Sequence, residues 1–301
     1  MLVCAGSSNL PLARSLATYL HAKLLDRELS TFPNGERRVH VLNGDAIKGQ
    51  TILVVQSFSA PADEHIIEMA LLVDTIKRAG AKRIYALIPW LGYSLQNDVF
   101  RPGEPNAAQV VADMVSTLPL TKIFLVDLHD PKIAKFFSVP TRHIETLSSF
   151  AEEIKKHAGK DAVIVAPDKG GKPRAAVLAK KIGAPLVELS KSRHRDTGEV
   201  AMVGGDGVEG KTAITIDDMI NTGTTMLHVA EILHAKGAKK ILAYASHALC
   251  NADHVKNLAK SSIDQIVVGD TINNPAVSAS KEFRVISFAQ LIAKQIKADL
   301  A

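Results

Sequence analysis

Cysteine is almost missing from this 301-residue chain: Cys4 and Cys250 are the only two, far apart and in no C-x-x-C spacing. That argues against a disulfide framework or a cysteine-bound structural zinc, and it suits a reducing compartment. No run of about 18 apolar residues occurs, so no segment is expected to cross a membrane. The opening MLVCAGSSNLPLARSL has no cationic stretch leading into a long apolar one, so no secretory leader is expected and the expected location is cytoplasmic. Aromatic residues make up 5%, and Lys and Arg never form a long run. A nucleic-acid partner, which would want basic patches interleaved with aromatics, is therefore not expected. The net charge of +5 suits a small anionic ligand such as a phosphate.

What is present is an ordinary globular composition, 47% hydrophobic and 22% charged, in a length that suits about two domains. Short β-branched or apolar runs read as strands at 2–6, 51–57, 83–89, 122–128, 162–167, 185–189, 212–218, 240–247 and 265–270. Between them lie amphipathic stretches such as 64–80 and 225–237, each ending at a glycine suited to a helix C-cap. Alternating strands and helices predict an α/β fold, with mainly parallel sheets flanked by helices. AGAKRIYALIP (79–89) and KGAKKILAYAS (236–246) are near copies, each closing a helix and opening a strand. We read two similar domains, 1–144 and 145–301, with the final helix packing back on the first. Ligands in such sheets gather at the carboxyl ends of strands. The polar residues expected there are Asp127, His129, Asp168, Lys191, Arg193, Asp217 and Asp218.

The most informative segment is ITIDDMINTGTT (214–225). An apolar strand is read as ending in Asp217 and Asp218, followed by Asn221, Thr222, Gly223, Thr224 and Thr225 at a helix start. Backbone N–H groups at that start, with the threonine hydroxyls, can wrap a phosphate. Gly223 lets the backbone approach it. The two carboxylates can accept hydrogen bonds from sugar hydroxyls, so phosphate and vicinal hydroxyls together describe ribose 5-phosphate. Just upstream, GDGVEGKT (205–212) matches a P-loop pattern, but its Lys-Thr opens a strand where a P-loop requires a helix. We read it as a chance match.

The 214–225 segment resembles the binding motif shared by phosphoribosyltransferases and phosphoribosyl-diphosphate synthetases. Three further segments resemble the second group, the ribose-phosphate pyrophosphokinase family, and extend the likeness over nearly the whole chain. STFPNGERRV (30–39) is similar to a loop that, in the family, reaches a neighbouring subunit and holds the adenine of ATP; this marks Phe32, Asn34 and Glu36. LVDLHDPKIAKFF (125–137) resembles the strand end that carries a metal-associated histidine, here His129, which the resemblance also places at the ATP. APDKGGKPRA (166–175) resembles a loop whose aspartate, here Asp168, serves ribose and a second magnesium ion. Lys191 and Arg193, spaced to share one side of an extended backbone, match the cations of a mobile loop that closes over the triphosphate.

The resemblance implies an enzyme with two phosphoribosyltransferase-like domains, using Mg2+. It would transfer the β,γ-diphosphoryl group of ATP to the C1 hydroxyl of ribose 5-phosphate, as a homo-oligomer built from dimers, a hexamer among the forms considered. The chain departs from the family's pattern after the third strand. There GYSLQNDVFRPGEP (92–105), which the resemblance makes an ATP-contacting segment, offers Leu95, Gln96 and Asn97 in place of Arg-Gln-Asp, with Arg101 as the nearest cation. Asn34 and Asn221 each stand where the family has aspartate. Two other readings stay open at this point: a phosphoribosyltransferase, and a non-catalytic regulatory homologue of the synthetase. His143, His157, His228, His234 and His254 are read as satisfied surface or core residues.

Overall fold

The structure, a computed structural model, describes residues 1–159, 161–193 and 200–300, with the backbone alone for 190–193 and 200–203. The chain forms two compact units. The first comprises Met1–Glu145, Thr271–Asn273 and Ser287–Ala301; the second comprises Thr146–Asp270 and Asn274–Ile286.

In the first unit the strands are β1 (Leu2–Ala5), β2 (Lys23–Leu24), β3 (Arg27–Thr31), β4 (Arg37–Val41), β5 (Thr51–Val55), β6 (Arg83–Ile88), β7 (Lys122–Val126) and β8 (Thr141–Ile144). Six of them form a sheet of order β2-β1-β5-β6-β7-β8, parallel throughout. The apolar runs of β5, β6 and β7 lie almost wholly out of solvent, as strands covered on both faces must. The helices are α1 (Leu10–Leu20), α2 (Ala62–Arg78) and α3 (Ala107–Ser116), and the chain's last helix, Ala289–Leu300, belongs to this unit as well. Helix α2 buries Ile66, Met69, Leu72, Val73 and Ile76, the 3-and-4 spacing of a single apolar stripe. Asp299 of the last helix pairs with Lys122 and Arg142, at 3.0 Å each.

In the second unit the strands are β9 (Ala162–Ala166), β10 (Leu186–Arg193), β11 (Val200–Gly204), β12 (Thr212–Ile220), β13 (Lys240–Ala248), β14 (Gln265–Gly269) and β15 (Phe283–Ile286). They order as β11-β10-β9-β12-β13-β14-β15, and only β11 runs antiparallel to its neighbour. The helices are α4 (Leu147–His157), α5 (Lys172–Ile182), α6 (Thr224–Ala235), α7 (Ala252–Ala259) and α8 (Pro275–Ala279), which makes the last helix α9. Without β11, the strand order repeats that of the first unit: β10-β9-β12-β13-β14-β15 against β2-β1-β5-β6-β7-β8.

The near-copied segments fold alike. Gly80 and Gly237 both take the left-handed conformation after a helix. The next amide then reaches back to close the helix end, Ala81 to the Ile76 carbonyl at 3.3 Å and Ala238 to the Leu233 carbonyl at 3.0 Å.

Two expectations need correction. Asp217 and Asp218 do not end their strand, because β12 continues to Ile220 and keeps its pairing with β13 through Ala248. Lys191 and Arg193 belong to β10, their backbones registered with Met202 and Val200 of β11, where a loop was expected. Their side chains, and the whole of His194 and Arg195, lie outside the described residues. The P-loop-like stretch is a turn, as read. Lys211 donates its amide to Val208 and accepts from the Lys239 amide (3.0 and 2.9 Å), and no helix starts there. We expect Lys211→Ala to change turnover by less than about twofold, as the loss of a half-buried side chain away from the β12–α6 loop would. An inactive variant in a steady-state assay would restore the P-loop reading.

Candidate active site

The second unit carries the loop predicted to hold ribose 5-phosphate. Asp217 is partly buried and Asp218 is 6% exposed. The Asp218 amide donates to Asp217 Oδ1 at 2.9 Å. Burial, then the hydrogen bond and charge of Asp218, push the Asp217 carboxyl up to about 7. The Asp218 amide and the charge of Arg174 oppose that rise. Near pH 7 Asp217 is therefore divided between its protonated and ionised forms, so the pair can offer both donor and acceptor to vicinal hydroxyls. Arg174, the third residue of α5, was not singled out from sequence, although a cation just inside a helix that follows a Gly-rich loop was a usable signal.

The folded state thus binds more protons than the unfolded one between the ordinary carboxylate range and about 7, so stability falls as pH rises through that window. We expect the ligand-free protein to lose melting temperature from about pH 5 to about pH 8, and Asp217→Asn to flatten that slope. Parallel slopes in thermal melts of the two proteins would count against a shared proton.

Beyond β12, Asn221 and Thr222 are exposed, and Gly223 stands at φ +83° directly before α6. Thr222 Oγ1 lies 3.0 Å from Thr224 Oγ1 and accepts the Thr224 amide at 3.4 Å, a long contact and the one side-chain bond made to an amide of this helix start among the described residues. The first amides of α6, with the exposed hydroxyls of Thr222, Thr224 and Thr225, make a concentrated donor site for an anion. A Cβ on Gly223 would come within 2.7 Å of the Leu258 side chain, so the tight approach needs glycine. Asp168 follows β9, and its Oδ1 accepts from the Gly171 amide at 2.9 Å to shape the entry to α5.

The first unit carries the residues assigned to the nucleotide. STFPNGERRV proves to be the tip of a two-stranded antiparallel ribbon of β3 and β4. Pro33 and Asn34 occupy the centre of a turn closed by the Gly35 amide on the Phe32 carbonyl at 2.8 Å, with Gly35 at φ +91°. Asn34 Oδ1 accepts the Glu36 amide at 3.2 Å, so the residue standing in for aspartate still makes the local turn. Phe32, Asn34 and Glu36 are exposed, and the Arg38 guanidinium lies 5.8 Å from the centre of the Phe32 ring.

Asp127, at φ +44°, turns the chain sharply at the end of β7 and leaves His129 exposed. His143 Nε2 accepts the Leu128 amide at 2.9 Å and holds this turn, a supporting role that sequence alone did not show. Asp130 links the turn to the 92–105 segment by accepting from the side-chain amide of Asn97 at 3.0 Å. Gln96 and Asn97 are thereby held near the His129 turn. Arg101 sits exposed in a separate turn, its backbone hydrogen-bonded to Glu104.

Two of the loops at strand ends differ in how far the chain itself closes them. In the first unit the loop after β1 is closed by the chain itself. Glu68 Oε1 accepts from the Ser7 amide and from Gln56 Nε2, at 2.7 Å each, and Gln56 Oε1 accepts from Ser8 Oγ at 2.6 Å. In the second unit no carboxylate among the described residues is bound to the start of α6.

Known proteins give the same division. Residues 142–280 match the phosphoribosyl transferase domain, and residues 1–118 match the N-terminal domain of ribose phosphate pyrophosphokinase. The chain is 35% identical to a ribose-phosphate pyrophosphokinase of Caldanaerobacter subterraneus, covering 98% of this chain and 93% of that one. It is 34% identical to the namesake of Aquifex aeolicus, covering 98% and 94%. The crystal structure of a phosphoribosylpyrophosphate synthetase from Mycobacterium smegmatis superposes with a TM-score of 0.90 at 31% identity, covering 99% of this chain and 98% of that one. The second unit thus carries a domain of the phosphoribosyl transferase class. The whole chain belongs to the ribose-phosphate pyrophosphokinase family.

Proposed function

We propose that this protein transfers the β,γ-diphosphoryl group of ATP to the C1 hydroxyl of ribose 5-phosphate, releasing AMP. The observation that carries the reading is the β12–α6 loop, where a largely buried acid pair lies next to a helix start lined with exposed threonine hydroxyls. Asp217 and Asp218 orient the ribose hydroxyls, while Asn221, Thr222, Gly223, Thr224 and Thr225 hold its 5-phosphate. Phe32, Asn34 and Glu36 receive the adenine, with Gln96, Asn97 and Arg101 along the nucleotide and His129 at its phosphate end. Lys191 and Arg193 are the catalytic cations, which offset charge accumulating on the transferring group and on departing AMP. The protein's contribution is positioning and electrostatics, so no covalent step is assigned to it.

Among the described residues no group of three or more His, Cys, Asp or Glu could hold a metal. This donor set fits Mg2+, which is often bound through one or two carboxylates with water and substrate phosphates completing the shell. Asp168 supplies an oxygen donor, and His129 suits a hydrogen bond to a water of the ion. When bound, the ion would neutralise charge on the phosphate oxygens.

A homo-oligomer and a cytoplasmic location fit the family and remain part of this proposal. The test is direct. Purified protein with ATP, magnesium and ribose 5-phosphate should release AMP, compared with a control lacking the sugar. Release of AMP only when 5-phosphoribosyl diphosphate and a base replace these substrates would favour a phosphoribosyltransferase. Ligand binding without turnover would favour a regulatory homologue.

A further inference from the structure

Among the described residues the β3–β4 ribbon makes no strand pairing beyond its own two strands. A lone hairpin is marginally stable, so its bearing depends on what it packs against. Val41, Leu29 and Val39 seat the ribbon on the core. At the other end, next to the exposed tip, stands Arg37, the first residue of β4 and the one directly after Glu36, registered opposite Thr31. Its Nη1 donates to Thr31 Oγ1 at 3.3 Å, and its Nη2 lies 2.8 Å from Glu64 and 3.9 Å from Glu68.

Glu68 is an unusual partner. Its side chain is 1% exposed and already fixed by the Ser7 amide and by Gln56 at the ends of β1 and β5. The contacts therefore run unbroken from the sheet, through a buried carboxylate, to the residue next to the tip. Arg37 Nε is buried without a hydrogen-bond partner among the described residues, so this arginine is kept for its two terminal nitrogens at some cost. A forked guanidinium can serve Thr31 and the two glutamates at once, which a lysine ammonium cannot do in the same geometry. The first turn of α2 takes a second tie: Tyr93 of the ATP segment, at φ +66°, donates its hydroxyl to Asp63.

We propose that Arg37, clamped by Glu64 and Glu68, is a positioning residue that sets the nucleotide-binding tip of the ribbon. The inference rests on the reading of Phe32, Asn34 and Glu36 as adenine-contacting. Arg37→Ala in the full-length protein should raise KM for ATP by about tenfold, with kcat within about threefold and KM for ribose 5-phosphate unchanged, the signature of lost ground-state binding. Arg37→Lys should recover part of the loss, and the preference for ATP over GTP should shrink with it. Glu64→Gln, a change on the outer face of α2, should show a smaller shift in the same direction and no additional shift when combined with Arg37→Ala.

Direct ATP titration by calorimetry gives the same comparison where turnover is too low to measure. An ATP affinity equal to wild type in Arg37→Ala would overturn the proposal, as would an equal loss for both substrates. So would a lowered melting temperature with nucleotide binding intact, which would mark the clamp as structural only. If Arg37→Ala does not fold, Arg37→Lys and Glu64→Gln decide by the same criteria. A wild-type protein that binds ATP but forms no AMP with ribose 5-phosphate sinks the proposed reaction and leaves the clamp to be judged by titration.

Discussion

Lys191→Ala is expected to lower kcat by about 10²–10³-fold, while ribose 5-phosphate binding stays near wild type, because a cation acting on developing charge contributes mainly in the transition state. The backbone around Lys191 is strand, paired with β11, so alanine fits there without breaking the sheet. Alanine disrupts neither the β12–α6 loop nor the ribbon tip, which lie elsewhere in the chain. Single-turnover AMP release, set beside equilibrium binding of the sugar phosphate, separates the two quantities. A large loss of sugar binding with turnover intact would remove Lys191 from the catalytic step. Arg193→Ala should behave in the same way if the two cations act together.

The second large effect is expected at Gly223. Alanine there meets two penalties at once: a backbone at φ +83° that L-residues rarely adopt, and a Cβ within 2.7 Å of Leu258. Leu258 cannot give way freely, since it is fully buried in the core formed by Val229, Leu233, Val255 and their neighbours. Strain and overpacking together should cost about 2–4 kcal/mol. The loop can relieve that strain only by moving, which would scatter the donors gathered at the start of α6. Ribose 5-phosphate affinity should therefore fall by more than about tenfold, a larger loss than the stability change alone would give at saturating ligand. Calorimetric titration checks this, with a thermal melt to show that the variant is folded. Wild-type affinity in a folded Gly223→Ala would mean that the phosphate is held elsewhere.

The fold was legible wherever a strand was apolar enough to be buried on both faces. All nine strands read from sequence exist, from Leu2–Ala5 to Gln265–Gly269, because continuous Val, Ile and Leu runs leave little alternative in an α/β protein. The strands not read are short, charged or at an edge. β3 and β4 (RELST and RRVHV) bury only one side and look like loop in composition. β11 stands at the sheet edge, and β2 has two residues. In the site, the Asp217–Asp218 pair and the Gly223 turn were legible because few other structures want those residue types side by side. The supports were not. His143 beneath the His129 turn, Asp130 bridging to Asn97, and Arg174 facing Asp217 are long-range relations that no local pattern encodes. The continuation of β12 past its acids was also missed, since Met219 and Ile220 extend the apolar strand just where the carboxylates suggested an end.

The buried carboxylate that closes the loop after β1 has one more consequence, for how the molecule responds to its surroundings. A loop whose amides are already bound by Glu68 and Gln56 gains nothing from added phosphate. The β12–α6 loop of the second unit instead leaves the Thr222, Thr224 and Thr225 side chains exposed and carries an acid pair whose burial favours the protonated form. A sugar phosphate held at the β12–α6 loop is therefore expected to raise the stability of the second unit, while the self-closed loop after β1 answers to it not at all.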